Sequence, residues 1–175
     1  MTTTQITCAA VAAVLLFWAV GAHNRLVGLR NTLVGRFVPV GEQLQLRHAL
    51  LLQQLELLTP LLASAGPRLD ALRAACQQAE AACLHAKVRP GAPGAITSLR
   101  LADDILTEAR ARLPVQAAPG SGLTELNAQI SLVDSAFSFA RAQFNEAVLA
   151  YNAARGQFPT RLIAGLFSFG SAALL

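Results

Sequence analysis

Charge is the scarcest property of this 175-residue chain: Asp, Glu, Lys and Arg make up only 14% of it, against about a quarter in typical soluble domains. Aromatic residues reach only 6%, so the hydrophobic fraction of 54% rests mainly on Ala and Leu, both strong helix formers. Val, Ile and Thr are too scattered to suggest sheets. The charge that is present comes almost entirely from arginine, thirteen Arg and one Lys against ten acids. No basic cluster carries interleaved aromatics, so nucleic-acid binding finds little support. Cysteine is equally sparse. Cys8, Cys76 and Cys83 form no CxxC and no Cys/His array with zinc spacing. Cys76 and Cys83, seven apart, share a helix face but stand roughly 10 Å apart along it, too far to bridge each other. They read as small hydrophobes on a buried seam.

Catalytic patterns are missing too. His23, His48 and His85 are widely spread and make no HExxH or other ligand spacing. Inward Glu-x-x-His repeats, as in diiron bundles, do not occur, and neither a Walker motif nor a nucleophile elbow is present. Asp103, Asp104 and Glu108 look like paired carboxylates, but the i,i+4 spacing of Asp104 and Glu108, with Arg100 and Arg112 continuing the row, predicts a charge-laced solvated face. The chain is expected to be no enzyme, with no cofactor, metal or small-molecule substrate.

What the chain does have begins with a long apolar run. Residues 6–22, ITCAAVAAVLLFWAVGA, contain no charge and approach the roughly 17–25 residues needed to cross a bilayer. Trp18 near the end of the run suits the membrane interface. A cleaved signal peptide would need positive side chains before the apolar run, and residues 1–5 have none. The run therefore predicts an uncleaved anchor behind a short tail. Arg25, Arg30 and Arg36 follow it closely, which puts the N-terminus outside and the remaining chain in the cytoplasm by the positive-inside rule. The lack of a disulfide pattern agrees with a reducing compartment.

After the anchor, helical periodicity dominates. Leu26, Leu29, Leu33, Phe37, Val40, Leu44, Leu51, Leu55, Leu58 and Leu62 keep three- and four-residue steps, with a polar gap at His48. Pro39 and Gly41 predict a kink or break in this helix, Pro60 a second bend, and Gly66-Pro67 its end. A second helix is expected over 67–88 on Leu69, Leu72, Cys76, Ala79, Cys83 and Ala86. The loop RPGAPG follows, then a third helix over 95–113 on Leu99, Ala102, Leu106, Ala109 and Leu113, then a flexible linker over 114–122. The fourth seam is the cleanest: Leu123, Leu126, Ile130, Val133, Phe137, Ala140, Phe144, Ala147, Tyr151, Ala154 and Phe158 alternate steps of three and four. A 3.5-residue period keeps one stripe facing another helix. Short connections favour an all-α, up-down antiparallel bundle of about four helices, two of them long. Intermolecular coiled-coil pairing is the rival arrangement.

Two terminal motifs resemble the LemA family of bacterial membrane-anchored helical proteins. The first is His23-Asn24-Arg25-Leu26-Val27-Gly28-Leu29-Arg30-Asn31, with His23 where the family has Tyr, followed by Arg47-His48. The second is Phe144-Asn145 and Tyr151-Asn152, then Phe158-Pro159 and Leu162-Ile163-Ala164-Gly165-Leu166-Phe167-Ser168-Phe169. The resemblance implies a single-pass protein of the bacterial inner membrane, with a tail over 1–5, an anchor over 6–22, a bundle over 23–158 and an apolar tail over 159–175. It also implies scaffolding or interaction work that organises or shapes the membrane. The partners expected are the lipid bilayer and an unidentified protein or a second copy. The alternative is a periplasm-facing adaptor for an envelope protein.

Within these motifs Asn24 and Asn31 are seven apart, as are Asn145 and Asn152, so each pair occupies one helix face. Antiparallel packing would bring the pairs to one level, and buried amides bonding across helices would fix the register. The candidate interaction residues are therefore Asn24, Asn31, Asn145, Tyr151, Asn152, Phe158, Pro159, Leu162 and Phe167. Pro159 should end the fourth helix. Residues 162–169 are then expected to emerge near the bilayer, lying in its interface, recruiting a partner, or folding back to plug the bundle.

Overall fold

The computed structural model of the protein describes residues 2–60, 66–113 and 122–175. Over these it is all helical, with no strand: α1 (Thr3–Leu58), α2 (Gly66–Val88), α3 (Pro93–Ala111), α4 (Leu123–Gly156) and α5 (Thr160–Leu166). The end of the first seam at Leu62 and the linker at 114–121 lie outside the described residues.

The periodic seams become the core. All ten seam positions on α4 from Leu123 to Ala154 are buried, as are Leu26, Leu33, Phe37, Val40, Leu44, Leu51, Leu55 and Leu58 on α1. The two long helices run antiparallel: Phe37 meets Phe144 edge to face at 5.4 Å, and Gln54 Nε2 donates to Asn127 Oδ1 at 2.7 Å near the end of α1 and the start of α4. Of the shorter pair, α2 packs on the part of α1 remote from its start, where His48 Nε2 lies 3.2 Å from Glu80 Oε2, and α3 packs on α2. Two glycines allow this approach. Any Cβ on Gly41 would lie 2.6 Å from Lys87 Cε, and Gly91, at φ +86°, turns the α2–α3 loop against Leu33.

Several boundaries differ from expectation. α1 runs through Pro39 and Gly41 as one 56-residue helix, so the predicted break does not occur. Proline there removes one N–H donor and crowds the carbonyl of Gly35, but Gly35 is exposed and water can take that carbonyl. Phe37 and Val40 are meanwhile almost fully buried, and their packing outweighs the roughly 3 kcal/mol that an interior proline costs. Gly66 opens α2 instead of closing the first segment, and α3 begins at Pro93, where its missing N–H is harmless. α4 ends at Gly156, leaving Phe158 outside the seam and 82% exposed.

Residues 3–20 of α1 project beyond the other helices, and nearly all their side chains are exposed. Among the described residues α1 is the one helix long and apolar enough to cross a membrane.

Candidate functional site

The short helix pair leaves the first turns of α1 beyond residue 22 uncovered, and α5 with the segment after it fills that space. α5 packs on both α1 and α4. The ring of Phe167 stands 4.6 Å from that of His23, and Phe169 5.5 Å from it. After a left-handed turn at Ser168, residues 169–175 run back along α4, antiparallel to it.

Side chains of α4 hold this segment by its backbone. Arg155 Nε donates to the Phe169 carbonyl at 2.6 Å, and the Tyr151 hydroxyl to the Gly170 carbonyl at 2.8 Å. Asn152 Nδ2 donates to the Ala172 carbonyl at 2.8 Å while its Oδ1 accepts from Ala172 N–H at 3.0 Å. Asn145 clasps Leu175 in the same way, both bonds at 2.9 Å. From the other side Ala173 N–H donates to the Gly91 carbonyl at 3.0 Å. Each carboxamide thus does for one residue what a neighbouring strand would do, satisfying both its donor and its acceptor. The spacing follows from geometry: seven helical residues advance roughly 10.5 Å, and three extended residues advance roughly 10 Å. The heptad between Asn145 and Asn152 therefore matches the step from Leu175 to Ala172.

This corrects the register role expected of the four asparagines. Asn24 and Asn31 are exposed on α1 and make no side-chain hydrogen bond among the described residues, while Asn145 and Asn152 face the tail. The amide contact between the long helices is Gln54–Asn127 instead. Tyr151 is buried, and burial raises its phenol above the usual 10.0 despite the opposing charges of Arg30 and Arg155. Pro159, joined to Phe158 by a cis peptide, precedes α5. Leu162, Leu166 and Phe167 remain 59%, 75% and 54% exposed. The tail folds back, as one expectation had it, but along a groove beside α4, with an apolar face left bare at the level of His23.

The sequence reading missed one residue of consequence. Arg47 fills the step between Leu44 and Leu51 and is 4% exposed. Its Nη1 donates to Asp103 Oδ1 at 2.6 Å, and its Nε lies 3.0 Å from Asp134 Oδ1 without the alignment of a hydrogen bond. Arg110 reaches the other oxygen of Asp134 at 3.1 Å, and the Arg47 guanidinium sits 5.6 Å from the Phe137 ring centre. The three-four stepping of α1 points at position 47, but an arginine on a seam reads as a gap. Asp103 accordingly turns inward, while Asp104 and Glu108 stay on the solvated face, Glu108 paired with Arg112.

Cys76 and Cys83 are buried, and burial pushes their thiols up, that of Cys76 to about 11. This shift works against a thiolate nucleophile, although Cys83 shares a cavity of about 240 Å³ with His48 and Glu80. Among the described residues no group of three or more His, Cys, Asp or Glu converges as metal ligands would.

No curated protein and no solved structure matches the chain. The model of the LemA family matches residues 106–175, a stretch that holds α4, α5 and the whole asparagine clasp, and leaves the first-helix motif outside it. Over this segment, in which Asn145 and Asn152 hold the returning tail, the chain is similar to the LemA family.

Proposed function

We propose that the protein is a single-pass scaffold of a bacterial inner membrane, anchored by the first turns of α1, that organises or shapes the bilayer and does no catalysis. The observation that carries this reading is the bare face of α5. Phe158, Leu162, Leu166 and Phe167 expose their side chains, and Phe167 stands against His23, one residue past the apolar run at 6–22. A short apolar face held level with the end of a bilayer-length helix is suited to lie in the headgroup region. It would widen the footprint of the protein from one helix to a helix with a foot.

Protein interaction is the second part of the proposal. Leu132, Phe139 and Leu149 are more than half exposed on α4, and at 100° per residue they fall within roughly a third of its circumference. A second copy or an envelope protein is the partner class such a stripe fits. The charge asymmetry around the anchor supports a cytoplasmic bundle, with the periplasmic adaptor as the alternative.

Alkaline carbonate extraction of cell membranes tests the anchor: the full chain should stay in the pellet. Serine at Leu162, Leu166 and Phe167 together tests the foot. In that variant, brominated lipids should lose most of their ability to quench a tryptophan placed at Phe158. Quenching equal to that of the parent chain would remove the foot from the proposal. An active alkaline phosphatase fused after residue 175 would select the periplasmic orientation.

A further inference from the structure

Beside the clasp lies an open groove of about 590 Å³ between α1, the α2–α3 loop and the returning tail. Its lining includes Arg30, Lys87 and Arg89 and no acid. All ten acids of the chain fall within the described residues, and none forms an ion pair with these three cations. The other walls add hydrogen-bond donors, the hydroxyls of Ser168 and Ser171. Arg30 and Arg89 are exposed and Lys87 is partly buried, and two contacts fix the frame that carries them. The stem of Lys87 is packed over Gly41, and the loop carrying Arg89 is held against Leu33 by Gly91. In the far half of the bundle Arg47, Arg73, Arg110 and Arg112 pair with carboxylates.

Three uncompensated cations around one concavity repel each other, and an anion entering between them relieves that repulsion while gaining charge-assisted hydrogen bonds. We propose that this groove binds a phosphate group, either that of an anionic lipid headgroup or a soluble phosphate. The inference rests on the membrane reading only for the lipid source. Arg30 lies eight residues, roughly 12 Å, past the apolar run, and its long side chain can reach toward headgroups. The lower part of the groove is open to solutes.

The test uses the full chain in a neutral detergent. Short-chain phosphatidylglycerol, short-chain phosphatidylcholine and inorganic phosphate are titrated separately while thermal unfolding is followed. The proposal expects phosphatidylglycerol or phosphate to raise the melting temperature saturably and phosphatidylcholine to do nothing. Protection by phosphatidylglycerol alone names the lipid source, and equal protection by phosphate names the soluble one. The variant R30Q/K87Q/R89Q should bind about tenfold more weakly or worse, the loss expected for at least one charge-assisted contact. R68Q/R73Q/R112Q, which removes the same charge from the far half, should bind as the parent does. Equal response of the two variants, or protection by phosphatidylcholine as strong as by phosphatidylglycerol, overturns the groove. Release of the protein by carbonate would overturn the anchor and leave this result standing.

Discussion

The two halves of the bundle solve the same packing problem with different materials. The half next to the apolar run packs Phe37, Phe137, Phe144, Tyr151 and Phe169 with small alanines. The far half is aliphatic throughout, built from leucines with Ala, Cys, Ile and Val. Polar groups differ as well. In the far half carboxylates neutralise arginines across α1, α3 and α4, whereas in the near half arginine and asparagine side chains hold a backbone and the groove cations Arg30, Lys87 and Arg89 have no acid partner. An aliphatic helical core tolerates exchange of one residue for another of like volume. A fixed tail read through its backbone does not tolerate the loss of its clasps. The difference locates the specialised part of the molecule next to the apolar run.

The largest effect should come from the aromatic core. Phe144→Ala removes a fully buried ring from the contact with Phe37 and should cost about 3–5 kcal/mol, measured by denaturant unfolding of the full chain in micelles. Leu55→Ala, the matching deletion in the far half, should cost less; the reverse order would break the contrast between the cores. Arg47→Ala comes next, at about 3 kcal/mol, because it strands the half-buried carboxylate of Asp103 and leaves Asp134 with Arg110 alone. Triple replacement by Met at 47 and Asn at 103 and 134 should recover much of that loss, and a deficit as large as that of Arg47→Ala would show that charge pairing is indispensable there. Asn152→Leu leaves the N–H and carbonyl of Ala172 without partners, at a cost of about 1–3 kcal/mol. That effect should be local. Hydrogen exchange should quicken at residues 169–175 and stay unchanged over residues 123–133, and equal quickening of both would merge the halves into one cooperative unit.

The smallest effect is conditional on pH. Unfolded, the Cys76 thiol gives up its proton near 9.0; folded, burial holds it to about 11. A raised acid of this kind contributes stability that is intact below the lower value and is lost as pH climbs toward the upper one. The melting temperature should therefore fall between pH 9.0 and about 11, and Cys76→Ala should flatten part of that slope. An identical slope in the variant would place the titration elsewhere, with Tyr151 in the near half the next group to test.

Much of the fold was legible because apolar periodicity is a local signal. The α4 seam translated into burial residue by residue up to Ala154, and the Leu69 to Ala86 stripe of α2 did the same. The failures share a physical cause. Pro39 predicts a break from its own chemistry, and only the burial of Phe37 and Val40 on another helix overrules it. Arg47 looks polar until two carboxylates from distant helices arrive. The heptad spacing marks Asn145 and Asn152 as a set, but their partner is a backbone that only the fold brings to them. Matching an α-helical heptad to three extended residues requires knowing that the tail doubles back, and no local pattern in residues 168–175 announces it.

The uninterrupted course of α1 has a mechanical consequence. The 36 residues from 23 to 58 make a stiff arm of roughly 54 Å continuous with the apolar run, with no hinge at Pro39 to absorb rotation. With that run in a bilayer, a tilt of roughly 20°, the average for spanning helices, would carry the far end sideways by roughly 18 Å. α1 would then act as a lever, turning small changes in bilayer thickness or curvature into large displacements of the aliphatic end of the bundle.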